Sequence, residues 1–331
     1  MQFVNKRLVP VLIAMGMSTL AVPHAAAQDD TAAYPSRPVR WIVPFAPGAS
    51  NDITARLLAQ KMSDSMGQQF IVDNRPGSGG SIGAKIVVDA APDGHTILHA
   101  NPGPSINNVM LRSKPPYRME DFAPVMFIGY SPLIIVAAPS FAPNNARELL
   151  AYAKANPGKL TWASSGNGSS LHIAQALFGA ATGAEFVHVP YKGTAPAFLD
   201  VFARRVDVVY TTVVSGDAHI KAGRIKILAV AAPKRQSVIP NVPTLLEEGI
   251  RNAEATVWFG VQVPAKTPRA IIAKLNTELN KAMTQQDVKA KLDQLGLVSA
   301  GGSVEDFTKF MRNEAERLKM LLQTKRVSML N

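Results

Sequence analysis

Apolar positions along this chain fall into short β-like runs alternating with stretches of helical spacing, the pattern of an α/β protein. Val39, Trp41, Ile42, Val43 and Phe45 read as a strand covered on both faces, and Pro44 and Pro47 end it. Ile53, Leu57, Leu58 and Met62 follow at helical spacing up to Gly67, so residues 39–67 predict strand, loop and helix in succession. Gly48, Ala49, Ser50 and Asn51 place little bulk over the strand end, and Ser50 or Asn51 is the expected cap. The free N–H groups and partial positive charge of such a helix start favour an anion, most simply a carboxylate.

The same unit recurs. Strands are expected at residues 70–72 and 96–100, with a helix over 82–90 between them. A proline-rich connection holds one helical turn near 107–111, and two apolar runs follow at 122–128 and 132–138, the second a candidate crossing between lobes. A helix over 146–155 leads to strands at 159–163, 186–189, 206–211 and 225–231, separated by helices at 171–182, 196–205 and 215–223. Residues 255–264 form a strand able to cross back, and helices at 270–283, 286–295 and 304–322 read as outer packing. Trp41, Trp162 and Trp258 fall in strands and are expected in the core. Two α/β lobes, each a mostly parallel sheet flanked by helices, make a clamshell with a cleft between them. The expected division is 28–133 and 256–331 for lobe 1 and 134–255 for lobe 2.

The first 27 residues change the picture of location. Lys6 and Arg7 precede an apolar run over 8–22, and Ala25, Ala26 and Ala27 are followed by Asp29 and Asp30, the layout of a secretory signal peptide cleaved after Ala27. With no cysteine there is no lipoprotein anchor, disulfide or thiolate chemistry, so a free periplasmic protein is expected. Loss of Lys6 and Arg7 takes the formal charge from +11 to +9. Lysines and arginines are scattered, and no aromatic residues interleave with them, which argues against nucleic acid.

Candidate chemistry is sparse. Gly77, Gly79, Gly80 and Gly83 give GxGxxxG rather than a dinucleotide fingerprint, and the strand at 96–100 ends in His99 and Ala100 with no acidic residue for a ribose. The histidines lack metal-ligand spacing, so neither cofactor nor metal is expected. The loop SSGNGSS at 164–170 lacks the GxSxG elbow of a hydrolase, and serines at helix starts serve as caps or anion donors. A non-enzymatic binding protein is therefore the first reading, with a secreted hydrolase using a serine of that loop as the alternative.

The strings YPSRPVRWIVPFAPG with NDITAR, DNRPGSGGSIGA, APDGHTIL, AYAKANPGKLTWASSGNGSSLH, HVPYKGTAPA, AGRIKILAV, VPTLLEEG and WFGVQVPAKTP stand in the order of the Bug or TctC family, and over residues 34–310 the chain resembles those periplasmic solute-binding proteins. The resemblance implies a two-lobed, type II-like periplasmic-binding-protein fold that closes on a small carboxylated solute, such as an organic acid, dicarboxylate, aromatic carboxylate or acidic amino acid. It implies a monomer that serves the membrane components of a tripartite tricarboxylate transporter or a sensor ectodomain. Carried over to this sequence, the ligand-binding positions are Phe45, Gly48, Ala49, Ser50 and Asp52 in the first loop and Gly80 and Ser81 in the glycine-rich loop. The second lobe would add Ser165, Gly168, Ser169, His172, Tyr191, Lys192, Gly193, Thr194 and Asp217. Two departures from the family pattern stand in specificity-setting loops: Ala49 to Asn51 replace a second glycine, and Asp217 stands near a usual proline.

Overall fold

The computed structural model describes residue 2 and residues 33–330, so the signal-peptide reading lies outside the described residues. The chain begins with β1 (Val39–Val43), α1 (Ser50–Met66), β2 (Phe70–Asn74), α2 (Ser81–Val88) and β3 (Thr96–Ala100). A π-helical turn at Gly103–Asn107 runs into α3 (Asn108–Met110), followed by β4 (Phe122–Pro132), β5 (Ile134–Ala137) and α4 (Ala146–Ala155). Then come β6 (Thr161–Ser164), α5 (Ser170–Thr182), β7 (Val187–Pro190), α6 (Thr194–Phe202), β8 (Val208–Thr211), α7 (Val213–Lys221) and β9 (Lys226–Val230). The remainder is β10 (Thr256–Pro264), α8 (Arg269–Thr284), α9 (Gln286–Gln294), β11 (Val298–Ser299) and α10 (Val304–Gln323).

These strands form two sheets, one ordered β11-β4-β10-β3-β1-β2 and the other β7-β6-β8-β5-β9. Each sheet has a parallel trio, β2-β1-β3 or β7-β6-β8, joined to an antiparallel strand, β10 or β5. The two lobes exchange that antiparallel strand. Chain leaving β4 of the first sheet enters the second as β5, and chain leaving β9 of the second re-enters the first as β10. The carboxyl ends of the parallel trios, where small-residue loops lead into helices, are the places at which an open α/β sheet receives ligands.

Burial follows the sequence pattern. β5 and β8 are buried along their whole length, as expected of strands covered on both faces, and all three tryptophans are core residues. Gly67 closes α1 in the left-handed conformation, and Asn145 and Ser303 cap α4 and α10 through side-chain oxygens. The cap of α1 differs from the expectation: Ala49 is the N-cap, and neither Ser50 nor Asn51 performs it. The Asp52 carboxylate reaches back to the Gly48 N–H instead, which frees both polar residues to face elsewhere. The helical turn expected near 107–111 starts earlier, at Gly103, and β11 escaped the sequence reading because two residues carry no periodicity.

Candidate functional site

Four helices point their N-termini at one closed space between the sheets. α1 presents Ala49, Ser50 and Asn51 from the first lobe; α5 presents Ser170 and Leu171, α6 Thr194, and α7 Thr212 and Ser215 from the second. Phe45 and Asn101, at the ends of β1 and β3, and Ser165 and Thr211, at the ends of β6 and β8, complete the lining with Val257 of β10. The open space at the centre of this cavity is small, about 20 Å³. Every lining residue is buried and none is charged. Its polarity comes from hydroxyls, two amides and the helix N–H groups, which together favour an anion in a space where few waters compete.

The lobes are held shut by direct bonds. The Ser50 N–H donates to Ser215 Oγ at 2.8 Å, and Ser215 is itself held by Thr212 Oγ1, 3.1 Å from its backbone nitrogen. The Ala46 N–H donates to the Lys192 carbonyl at 3.1 Å, and Asn107 Nδ2 donates to the Gly168 carbonyl at 3.0 Å. Within lobe 1, Asn101 Nδ2 donates to Asn51 Oδ1 at 2.7 Å, which fixes both amides against the cavity. Thr211 Oγ1 is buried there with no partner among the described residues, so its hydroxyl is left for whatever enters.

Five of the expected site residues meet in this lining: Phe45, Ala49, Ser50, Ser165 and Thr194. The others lie around it and act at one remove. Asp52 accepts from the Gly48 N–H and from Arg56; burial pushes its carboxyl up, but these bonds outweigh burial and hold it below the usual carboxylate range. Gly80 carries no side chain because a Cβ there would press on Pro104 and on the Phe45 ring at 3.2 Å, and Ser81 opens α2 beside it. Ser169 caps α5 through the His172 N–H, and the ring of His172 accepts from the Gly168 N–H at 3.2 Å. Gly168 has φ +76°, and a Cβ there would lie 2.3 Å from Asn108 Oδ1 of the other lobe, so this glycine is where two backbones close on each other.

Gly193 caps α6 against Ala46, while Tyr191 and Lys192 line a separate, wider groove of about 670 Å³, shared with Gly79 and Arg112 of lobe 1. Tyr191 donates its hydroxyl to Asp200 at 2.6 Å. Asp217 lies off the cavity lining, one turn into α7, and pairs with Lys221 at 2.9 Å; Thr212 and Ser215 fill the place in the cavity where the sequence reading put it. Asn51, Asn101, Ser170, Leu171, Thr211, Thr212, Ser215 and Val257 were missed. Thr212 and Ser215 carried a signal in TTVVS, a capping pair before a helix, whereas Asn101 and Val257 lie far apart in sequence and meet only through the strand exchange.

A serine with a histidine does occur. Ser164 Oγ lies 2.6 Å from His188 Nε2, and His188 stacks on His172 with ring centroids 4.1 Å apart. Burial and the neighbouring His172 push the His188 ring down to about 4, and burial lowers His172 as well. Ser165, just past the end of β6, lines the cavity, and Ser164 does not. This pair holds one end of the loop and His172 the other.

Two lobes that exchange strands and close over a buried polar cavity define a binding protein of the periplasmic type. Residues 54–327 match the family of tripartite tricarboxylate transporter receptors, TctC. The chain is 40% identical to a Pseudomonas sp. protein of the tcbD-tcbE intergenic region, over 96% of this chain and 94% of that one. A Rhodopseudomonas palustris protein solved with adipate superimposes with a TM-score of 0.86 at 32% identity, covering 90% of this chain and all of the other. MatC from the same organism, solved with bound malate, gives 0.82 at 31% identity over 86% of this chain and 98% of its own. The chain belongs to the Bug/TctC family of solute-binding receptors, which are not enzymes.

Proposed function

We propose that this protein captures a small carboxylate in the periplasm by lobe closure and presents it to the membrane components of a tripartite tricarboxylate transporter. The observation that carries this reading is the convergence of four helix N-termini on a closed cavity without a charged side chain. A neutral solute would leave that positive potential unused, whereas a carboxylate accepts from N–H groups and hydroxyls at once. Relatives solved with adipate and malate support a dicarboxylate. On this reading the signal peptide is removed after Ala27, the mature chain is a monomer, and the lobes divide at residues 133/134 and 255/256.

Thermal stability measured against matched acids and amides tests it. A preferred acid at a hundredfold excess over its Kd should add about 2.7 kcal/mol, and its amide should add nothing. Equal stabilisation by acid and amide, or by neither across mono-, di- and aromatic carboxylates, would overturn the carboxylate reading.

A further inference from the structure

A second cavity, with about 50 Å³ of open space, lies on the other side of the crossing strand β10 from the candidate ligand site. The two are separated by a thin wall. Val257 lines the first and Thr256 the second, Asn101 the first and Pro102 the second, and Ser170 touches both. Alternate residues of β10 face opposite ways, and the core agrees, with Val257 and Phe259 in one apolar cluster and Trp258 in another.

This second cavity is walled by both lobes. Ile173 and Leu177 come from α5 of lobe 2, and Leu318 from α10 of lobe 1. The three share an apolar cluster with Trp258, so the lobes touch here through aliphatic side chains as well as through the cleft loops. Thr256 and Asn107 add polar groups, Asn107 also donates to Gly168 across the lobes, and the partly exposed Glu314–Arg317 ion pair of α10, 3.5 Å long, completes the wall.

We propose that this cavity is a second binding site, for a compact aliphatic molecule carrying one hydrogen-bonding group, and that filling it favours the closed lobes. It rests on the reading above that the protein works by closure. The sign does not depend on the path of opening. If separation widens the cavity, a filling group loses its contacts in the open form; if separation narrows it, the group is squeezed. Either way the group fits the closed form best, and a ligand shifts an equilibrium by its differential affinity for the two states. The coupling is reciprocal, so a filled second cavity strengthens binding in the cleft.

Two substitutions away from the cleft lining test this, read by small-angle scattering without any acid and by adipate titration. Ala174→Leu fills the cavity from α5 and should shrink the ligand-free radius and tighten adipate about fourfold, the effect of roughly one methylene buried only in the closed form. Leu177→Ala enlarges the cavity and should do the reverse. Cyclohexanol, a probe of the stated chemistry, should tighten adipate binding to wild type and leave Ala174→Leu unchanged. Folded variants that both keep the wild-type ligand-free radius would overturn the proposal, as would a cyclohexanol effect undiminished in Ala174→Leu. Failure of adipate to bind wild type would count against dicarboxylate capture, while the ligand-free radii would still decide this proposal.

Discussion

The two lobes share a strand order and differ in what they bring to the cavity. In lobe 2 all three parallel strands lead to helices, α5, α6 and α7, whose first turns hold no acidic residue and which carry serine and threonine hydroxyls inward. In lobe 1 only α1 reaches the cavity, and its first turn holds Asp52, neutralised by Arg56 at 3.0 Å. The equivalent of α7 in lobe 1 is the π-helical turn after β3, and Asn101 stands before it. A repeated fold has thus been given two chemistries: an electropositive, hydroxyl-lined half and an amide-lined half with Phe45. On the proposed reading, a carboxylate of the ligand would face lobe 2 and its carbon chain would lie against Phe45, Leu171 and Val257.

The largest effect should come from preventing the halves from meeting. Gly168→Val would force a β-branched side chain into a positive φ and against Asn108, so ligand should give no thermal stabilisation and no fall in scattering radius. A folded Gly168→Val protein that closes normally would break the account of the interface. Next in size is the introduction of a negative charge within lobe 2. Thr194→Asp adds a carboxylate at the α6 N-terminus, where it occupies the place of the ligand's own charge, and should abolish acid binding while leaving the melting temperature of the ligand-free protein close to wild type.

Smaller effects separate the two chemistries directly. Thr211→Val removes the unpartnered hydroxyl of lobe 2 at nearly constant shape and should weaken the preferred acid by about 0.5 to 1.5 kcal/mol, read by calorimetry. Asn51→Ala in lobe 1 should alter the ranking among acids of different chain length more than the affinity for any carboxylate. Equal losses across all acids from both variants would dissolve the distinction. Ser169→Ala lowers stability by about 1 kcal/mol as a lost cap, with little change in affinity, because its oxygen is committed to the His172 N–H.

The smallest effect is pH dependence, and it belongs to lobe 2. His172 and His188 have lowered pKa values, the latter about 4, so the folded protein resists protonation that the unfolded chain accepts. Their contribution is complete above the unfolded value of about 6.5 and declines as pH falls from there toward about 4. Protonated His172 Nδ1 could no longer accept from the Gly168 N–H, so acid affinity should fall in the same window. His188→Gln should flatten that part of the profile; an unchanged profile would remove the pair from the loop's support.

Much of the fold was legible because burial and periodicity are local. The run from Val39 to Val43 is buried and apolar except at Arg40, which pairs with Asp73, and the helix after it announced itself at i, i+4 spacing and ended at a glycine. The loops were legible as small-residue gaps between strand and helix, and the family resemblance brought Phe45, Ala49, Ser50, Ser165 and Thr194 into view. Polar residues without periodicity gave no such signal. Ser169 and Asp52 have the right chemistry for a ligand but are spent on their own backbone, and spacing alone does not distinguish a hydroxyl that caps a helix from one that faces a cavity.

The sequence by itself determined the two-lobed α/β architecture, the places where helices start, and the family, because each follows from neighbours in the chain. Only the tertiary structure decided which side chains share the cavity. The strand exchange carries Val257 beside Asn101, Ser215 against the Ser50 N–H and Leu177 toward Leu318, pairings between residues more than a hundred positions apart. Such contacts are set by how two sheets cross and close, and no local pattern of hydrophobic and polar residues encodes that angle.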